Sequence, residues 1–457
     1  VIMTIILMAS LVFMSMSPPP GLSIAGQRVL GIAIITIGLW STELLPMGVT
    51  AMLLVVLLRV SGGVKDFQEA LAGFAQPVPY FLIAVLTIGF AVQKSGLAER
   101  LARFSLHRSR NSPLRLYVQL LISFPVLTLI LPSATARTGI LVHVYEQALS
   151  LSKVDKESPF SKAIMMSLNS INRLASTAIL TGGITPVVAA ALIGGMSWSR
   201  WLAMMLIPYL VLLLCGAGMI YLIYRKGFSI EMCQVMEIEP TPLTFIEIRT
   251  IAIILGASAL WLTDAIHHMN PAIPALVAWI CLLAPGIGVL TWREFEKNLG
   301  WSNFFVIAAS MSLASALINS GAGFWLAHSV VDRLPAMAAS PLAIAIILLI
   351  AAAPIRLLIP NITGFLAVTI PTAMSIALLT NMNPVVCGLL VMIAGDAVLY
   401  YPAQSASSLV VYERGFLSSA EIFWFGCLMT LAASFVALFV ALPYWNLIGE
   451  PLINIVQ

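Results

Sequence analysis

Apolar residues run in blocks of about 20 along nearly the whole chain, the length needed to cross a bilayer as a helix. Short polar stretches, or stretches marked by Pro and Gly, punctuate the blocks. Two of them lie inside apolar sequence rather than between blocks. One is 128–143, T-L-I-L-P-S-A-T-A-R-T-G-I-L-V-H; the other is 356–368, R-L-L-I-P-N-I-T-G-F-L-A-V. Leu131-Pro132-Ser133-Ala134-Thr135 aligns with Ile359-Pro360-Asn361-Ile362-Thr363 at a constant offset of 228 residues. Backbone that leaves the helix at bilayer depth is tolerated only where protein or a water-filled cavity satisfies it. A pair of such breaks, one in each half of a chain, is the sequence mark of a transporter's binding site. Both read as tips of re-entrant hairpins, at 116–150 and 338–379.

The same pattern predicts the remaining elements. Residues 1–16 read as a first helix ended by Pro18-Pro19-Pro20-Gly21, not as a secretory leader, since no basic segment precedes them. Spans follow at 24–41, 47–60 and 76–93. A helix at 159–196 is interrupted at Thr181-Gly182-Gly183-Ile184-Thr185-Pro186, and one at 383–415 is interrupted at Tyr401-Pro402-Ala403-Gln404-Ser405-Ala406-Ser407-Ser408. Further spans are expected at 199–224, 244–262, 272–290 and 419–445. The fold class is thus an all-α polytopic membrane protein of about 11 spans plus two hairpins. Its expected organisation is scaffold spans at 1–65, a first repeat at 66–224, a linker with scaffold spans at 225–290, a second repeat at 291–445 and a tail at 446–457.

Phe67-Gln-Glu-Ala-Leu and the later Lys94-Ser95-Gly96-Leu97-Ala98 are echoed by Phe295-Glu-Lys-Asn-Leu and Asn319-Ser320-Gly321-Ala322. Five crossings separate the copies, an odd number, which puts them on opposite faces. Charge agrees: 94–115 is strongly basic and reads as a cytoplasmic amphipathic helix, whereas its later copy is not. This is the mark of an inverted-topology repeat. The N-terminus is then cytoplasmic, in a bacterial-type inner membrane.

Composition sharpens the picture. Of 457 residues 60% are hydrophobic and 9% charged, which leaves no room for a soluble domain or a nucleic-acid surface. Five scattered Cys form no metal or disulfide pattern. Neither H-E-x-x-H nor a Gly-x-Ser-x-Gly elbow occurs, so an intramembrane enzyme is disfavoured. The charges deep in apolar sequence are Arg137, Arg173, Arg356 and Asp396. More buried base than acid points to an anion and away from a cation/proton antiporter. Intramembrane charges face a cavity and serve a function by default. Three readings of Arg137 and Arg356 stay open: a bidentate clamp on a carboxylate or sulfate, a tethered cation in place of sodium, or a structural partner of Asp396 or of free hairpin carbonyls. Asp396 is also a candidate proton-coupling group. Candidate substrate contacts are Ser133, Thr135, Arg137, Thr138, Thr185, Arg356, Asn361, Thr363, Gln404, Ser405, Ser407 and Ser408. Candidate ion-coupling positions are Ser133, Gly182, Gly183, Arg356, Asn361 and Asp396.

With Gly38-Leu-Trp-Ser-Thr-Glu-Leu-Leu-Pro46, the Lys94-Ser-Gly-Leu helix, both tips and Pro402-Ala-Gln-Ser-Ala-Ser-Ser-Leu-Val-Val-Tyr in view, the chain resembles the divalent anion/sodium symporter family of dicarboxylate and citrate carriers. The resemblance implies eleven spans, two hairpins, a homodimer, an elevator-type motion and a small dianion as cargo, with Na+ as a possible coupling ion and no other cofactor. It also implies a Ser-Asn-Thr triplet at each tip, holding substrate and sodium. This chain departs there: the first tip is Ser133-Ala134-Thr135, and the second is Pro360-Asn361-Ile362 with Thr363 one place late. A sodium-independent proton-coupled or exchange carrier, with a hairpin Arg replacing sodium, is the alternative.

Overall fold

The computed structural model describes residues 2–42, 44–100, 112–131, 133–230, 242–332 and 340–453. Glu43, Pro132, much of the basic stretch expected at 94–115, part of the linker loop and the end of the tail lie outside them.

Proline and serine set where the site-bearing helices begin. Proline fits the first turn of a helix because its missing N–H has no helical partner there, and a preceding Ser or Asn side chain satisfies a neighbouring N–H. The first hairpin starts at Pro113–Ile130, where the Ser112 hydroxyl accepts from the Arg115 N–H at 3.5 Å. The second starts at Pro341–Leu358, where Ser340 accepts from Ala343 at 3.2 Å. Ser112-Pro113 and Ser340-Pro341 are again 228 residues apart. The broken helices start the same way, at Ser158-Pro159 and Asn383-Pro384. Each hairpin then turns at its polar tip and returns, over Ala134–Leu151 and over Ile362–Leu379.

The breaks differ from expectation in extent. The first broken helix runs through Pro159–Met166, a π turn at Ser167–Ile171 and Asn172–Thr177. It stops there, passes a short 3-10 turn at Leu180–Gly182 and resumes over Ile184–Ile193. The second ends at Asp396, five residues before the expected break at 401, and resumes over Ala406–Tyr412. Around that end Arg side chains donate to the carbonyls of Gly395 and Val398, the latter without a helical partner because residue 402 is Pro.

Among the described residues nine helices are long and apolar enough to cross a membrane, and six shorter apolar helices accompany them. The nine include three hairpin arms, so a count by length alone does not equal the expected count of spans. Large apolar residues such as Leu129, Leu358 and Leu431 are exposed on the outer surface, as a lipid-facing wall requires. Ile362–Leu379 lies at the centre, packed along Pro384–Asp396, Ile184–Ile193, Ala322–Val331 and Trp301–Asn319. A second apolar cluster joins the helices Ile24–Thr42, Met47–Val60 and Trp301–Asn319, against which the second tip rests. Trp40 packs on Gly364 so closely that a Cβ there would lie 3.1 Å from the ring.

Candidate functional site

Both tips and both breaks converge on one cavity of about 250 Å³. Ser133 and Thr135 come from the first tip, and Asn361 and Thr363 from the second. Gly183 and Thr185 come from the first break, and Gln404, Ser405 and Ser407 from the second. Arg356 reaches the wall from the arm before the second tip. Met47, Leu86, Asn303 and Val306, on other helices, close the remaining side.

The tip side chains hold the turns as well as face the cavity. Ser133 accepts from the Ala136 N–H at 3.3 Å and Asn361 from the Thr363 N–H at 2.9 Å, so each caps its returning arm. Helix N-termini carry unpaired N–H groups and the positive end of the helix dipole, a ready receptor for an anion. Two returning arms and Ile184–Ile193 direct three such termini toward the cavity. Gln404 is held at both ends: its Nε2 donates to the Arg356 carbonyl at 2.9 Å and its Oε1 accepts from the Tyr400 N–H at 2.6 Å.

Five candidate residues lie off the cavity wall: Arg137, Thr138 and Ser408, expected to contact substrate, and Gly182 and Asp396, expected as ion-coupling positions. Arg137 is fully buried behind the first tip. Its Nε donates to Asn172 Oδ1 at 3.1 Å and its Nη1 to the Leu131 carbonyl at 2.7 Å. Its Nη2 donates to the Asn172 carbonyl at 3.2 Å and to the Ser176 hydroxyl. The guanidinium is spent on the tip and the first broken helix. Thr138 accepts from Asn172 Nδ2 at 2.8 Å, and Ser408 donates to Asn169 Oδ1 at 2.6 Å. Gly182 is a packing position: a Cβ there would run into the Ser176 carbonyl, with Thr128 also close. Asp396 is fully buried and engaged, paired with Arg173 at 3.1 Å while its Oδ2 accepts from Thr177 at 2.7 Å and Tyr209 at 3.1 Å.

Arg356 is differently placed. Its Nε donates to the Gly395 carbonyl at 3.0 Å, and its Nη1 to those of Ile359 and Pro360 at 2.7 and 2.5 Å. Its Nη2 is buried without a partner. Arg173, which reaches the cavity wall, likewise keeps Nε unpartnered while its Nη2 donates to the Val398 carbonyl at 3.3 Å. Both atoms are shut off from solvent, so an anion in the cavity acts on these guanidiniums through its charge rather than by contact at these nitrogens. Arg173, Ser176, Thr177 and Asn303 line the cavity but were not among the site residues expected from sequence. The signal for three of them was present: Asn169, Asn172, Arg173, Ser176 and Thr177 recur at three- to four-residue spacing, one polar stripe on a helix.

Comparison with known proteins agrees with this architecture. A family described as "Sodium:sulfate symporter transmembrane region" matches residues 1–450. A "Membrane protein" of Cupriavidus necator is 25% identical over 96% of this chain and 91% of its own length. The "L-tartrate/succinate antiporter" of Escherichia coli K12 is 22% identical over 80% of this chain and 78% of its own. Among solved structures the Alcanivorax borkumensis YdaH transporter has the same fold, with a TM-score of 0.58 at 14% identity, covering 94% of this chain and 100% of that one. The chain therefore belongs to the sodium:sulfate symporter family, and it is a multi-pass membrane transporter of small anions rather than an enzyme.

Proposed function

We propose that this chain exchanges one dianion for another across an inner membrane, without sodium, and that Arg137 and Arg356 stand where coupling cations would sit. The observation that carries this reading is the use of the tip carbonyls. A sodium ion at either tip would draw on backbone carbonyls freed by the turn. Those of Leu131, Ile359 and Pro360 already accept from guanidinium groups. A second cation at close range is repelled by a fixed one. Among the described residues the buried charges on the hairpins and broken helices are three Arg and one Asp, a net of +2. An empty carrier would move that uncompensated charge through a low-dielectric region, while one loaded with a dianion would move none. Empty return is therefore disfavoured, and exchange follows. The naming of a relative as an L-tartrate/succinate antiporter is consistent with that mode.

In this reading Ser133, Thr135, Thr185, Asn361, Thr363, Gln404, Ser405, Ser407 and Arg356 contact the anion, with Arg173 added from the structure. Segments 66–224 and 291–445 form inverted repeats, their hairpins and broken helices move together as an elevator against the other spans, and two chains pair through those spans. Proteoliposomes test it. Uptake of labelled succinate should require an internal dianion and should ignore sodium and proton gradients. Robust uptake into empty vesicles driven by an inward sodium gradient would overturn exchange in favour of the sodium-coupled symport that the family description names.

A further inference from the structure

The Arg173–Asp396 pair ties the two halves of the chain together behind the cavity, and its two members are placed unequally. Asp396 is wholly buried and does not reach the cavity wall, whereas Arg173 does. Nothing in direct contact with cargo requires a carboxylate at 396. The Thr177 and Tyr209 hydroxyls that donate to it hold it in place. Among the described residues neither Arg137 nor Arg356 makes an ion pair; both donate to carbonyl, amide or hydroxyl oxygens. Among the described residues Asp396 is thus the one acid paired with any of these three buried guanidiniums. Removing it would raise the buried charge from +2 to +3.

We infer that Asp396 sets the valence of the cargo: by offsetting Arg173 it leaves two uncompensated positive charges, which a dianion matches and a mono- or trianion does not. This deepens the dianion-carrier reading and rests on it. Interactions between charges in a region of low dielectric are strong and poorly screened, so a mismatch of one elementary charge outweighs modest differences in cargo shape. The role differs from that of a cargo ligand, because Asp396 acts through the total charge rather than by touching the anion.

A four-protein series tests it: wild type, Asp396→Asn (+3), Arg173→Gln (+1) and the double variant Arg173→Gln/Asp396→Asn (+2). Each is assayed by exchange in proteoliposomes at pH 8 with succinate, propane-1,2,3-tricarboxylate and isethionate as di-, tri- and monoanion. Asp396→Asn should raise the tricarboxylate-to-succinate ratio of kcat/KM by about tenfold or more, equivalent to about 1.4 kcal/mol. Arg173→Gln should raise the isethionate-to-succinate ratio in the same way. The double variant should return to the wild-type order even if its overall rate is low. Asp396→Glu should keep that order. A purely structural pair predicts otherwise: less active protein, with ratios unmoved. Unchanged ratios across the series, or a double variant that keeps the trianion preference of Asp396→Asn, would overturn the inference. Should Asp396→Asn not fold, the double variant leaves no unpaired Arg173 and still reads the outcome through the anion that most raises its melting temperature; a preference for an anion other than succinate overturns the inference. A wild type that exchanges no dianion would instead overturn the carrier reading, and this one with it.

Discussion

The two hairpin tips solve one problem in opposite ways. Leu131 and Ile359 are equivalent at the offset of 228, and each carbonyl accepts from a guanidinium at 2.7 Å. At the first tip the donor is Arg137, on the returning arm. At the second it is Arg356, on the arm that leads in. The residue matching Arg137 in the second repeat is Phe365, and the Arg356 guanidinium lies over its ring, 6.0 Å from the centroid. One position has become an aromatic shelf, and the charge enters from the other arm to the same carbonyl. The difference decides what each Arg has left to offer. Arg137 is consumed by the tip and by Asn172 and Ser176. Arg356 lines the cavity and keeps Nη2 without a partner. Equivalent positions therefore need not share a role.

The strongest test of this contrast is to remove each guanidinium in turn. Arg356→Ala should cut kcat/KM for dianion exchange, measured per folded protein, by about 100-fold or more, roughly 2.7 kcal/mol, and should also lower the melting temperature, since three buried carbonyl contacts lose their donor. Arg356→Lys should recover only part of it, since an ammonium keeps the charge but not the planar fork. Arg137→Ala should act chiefly on stability. Four buried acceptor contacts lose their donor, at a cost of about 3 kcal/mol read as a lower melting temperature. The surviving fraction, one buried positive charge short, should shift its isethionate-to-succinate ratio as Arg173→Gln does, while its succinate KM changes less than in Arg356→Ala. Equal KM changes in the two variants would erase the distinction.

A smaller effect separates the neighbouring glycines of the first break. Gly182→Ala drives a methyl into the Ser176 carbonyl and should cost about 1–3 kcal/mol. Gly183 has an extended backbone, φ 177°, and a Cβ there would meet Ser176 at an ordinary 3.4 Å. Gly183→Ala should therefore shift the melting temperature little, and any loss of exchange should appear in KM, since this residue lines the cavity.

The smallest effect lies away from both tips. Lys94 pairs with Glu294 at 2.7 Å, and together with the Thr291 N–H and hydroxyl it holds that carboxyl down from 4.5 to about 2. A carboxyl depressed on folding stabilises the native state above the unfolded value, and that contribution is lost as pH falls from 4.5 through about 2. Both side chains are a third exposed, so the contribution is small. Acid melting curves of wild type and Glu294→Gln should converge below that window and differ slightly above it.

Much of this architecture was legible before folding. Ser112-Pro113, Ser340-Pro341, Ser158-Pro159 and Asn383-Pro384 announce where the four site-bearing elements begin, because capping and proline geometry are local. The polar tips were legible because small polar residues have no other reason to interrupt apolar sequence. The partners of the charged residues were not. That Arg137 faces Asn172 and Arg356 faces Gly395 depends on which helix lies alongside, which no spacing encodes. Likewise Val398, Leu399 and Tyr400 look like continuing helix, but the helix ends at Asp396, with the Gly395 and Val398 carbonyls taken by guanidiniums and the Tyr400 N–H by Gln404.

The π turn at Ser167–Ile171 adds a residue to the first broken helix just ahead of Arg173. In a regular helix each residue turns the side chains by about 100°, so one surplus residue re-aims everything that follows it. Deleting a single amino acid from this stretch would swing Asn172, Arg173 and Ser176 round the axis together while leaving their chemistry intact. The chain thus holds a natural vernier: aim, as distinct from composition, can be adjusted here by the count of residues alone.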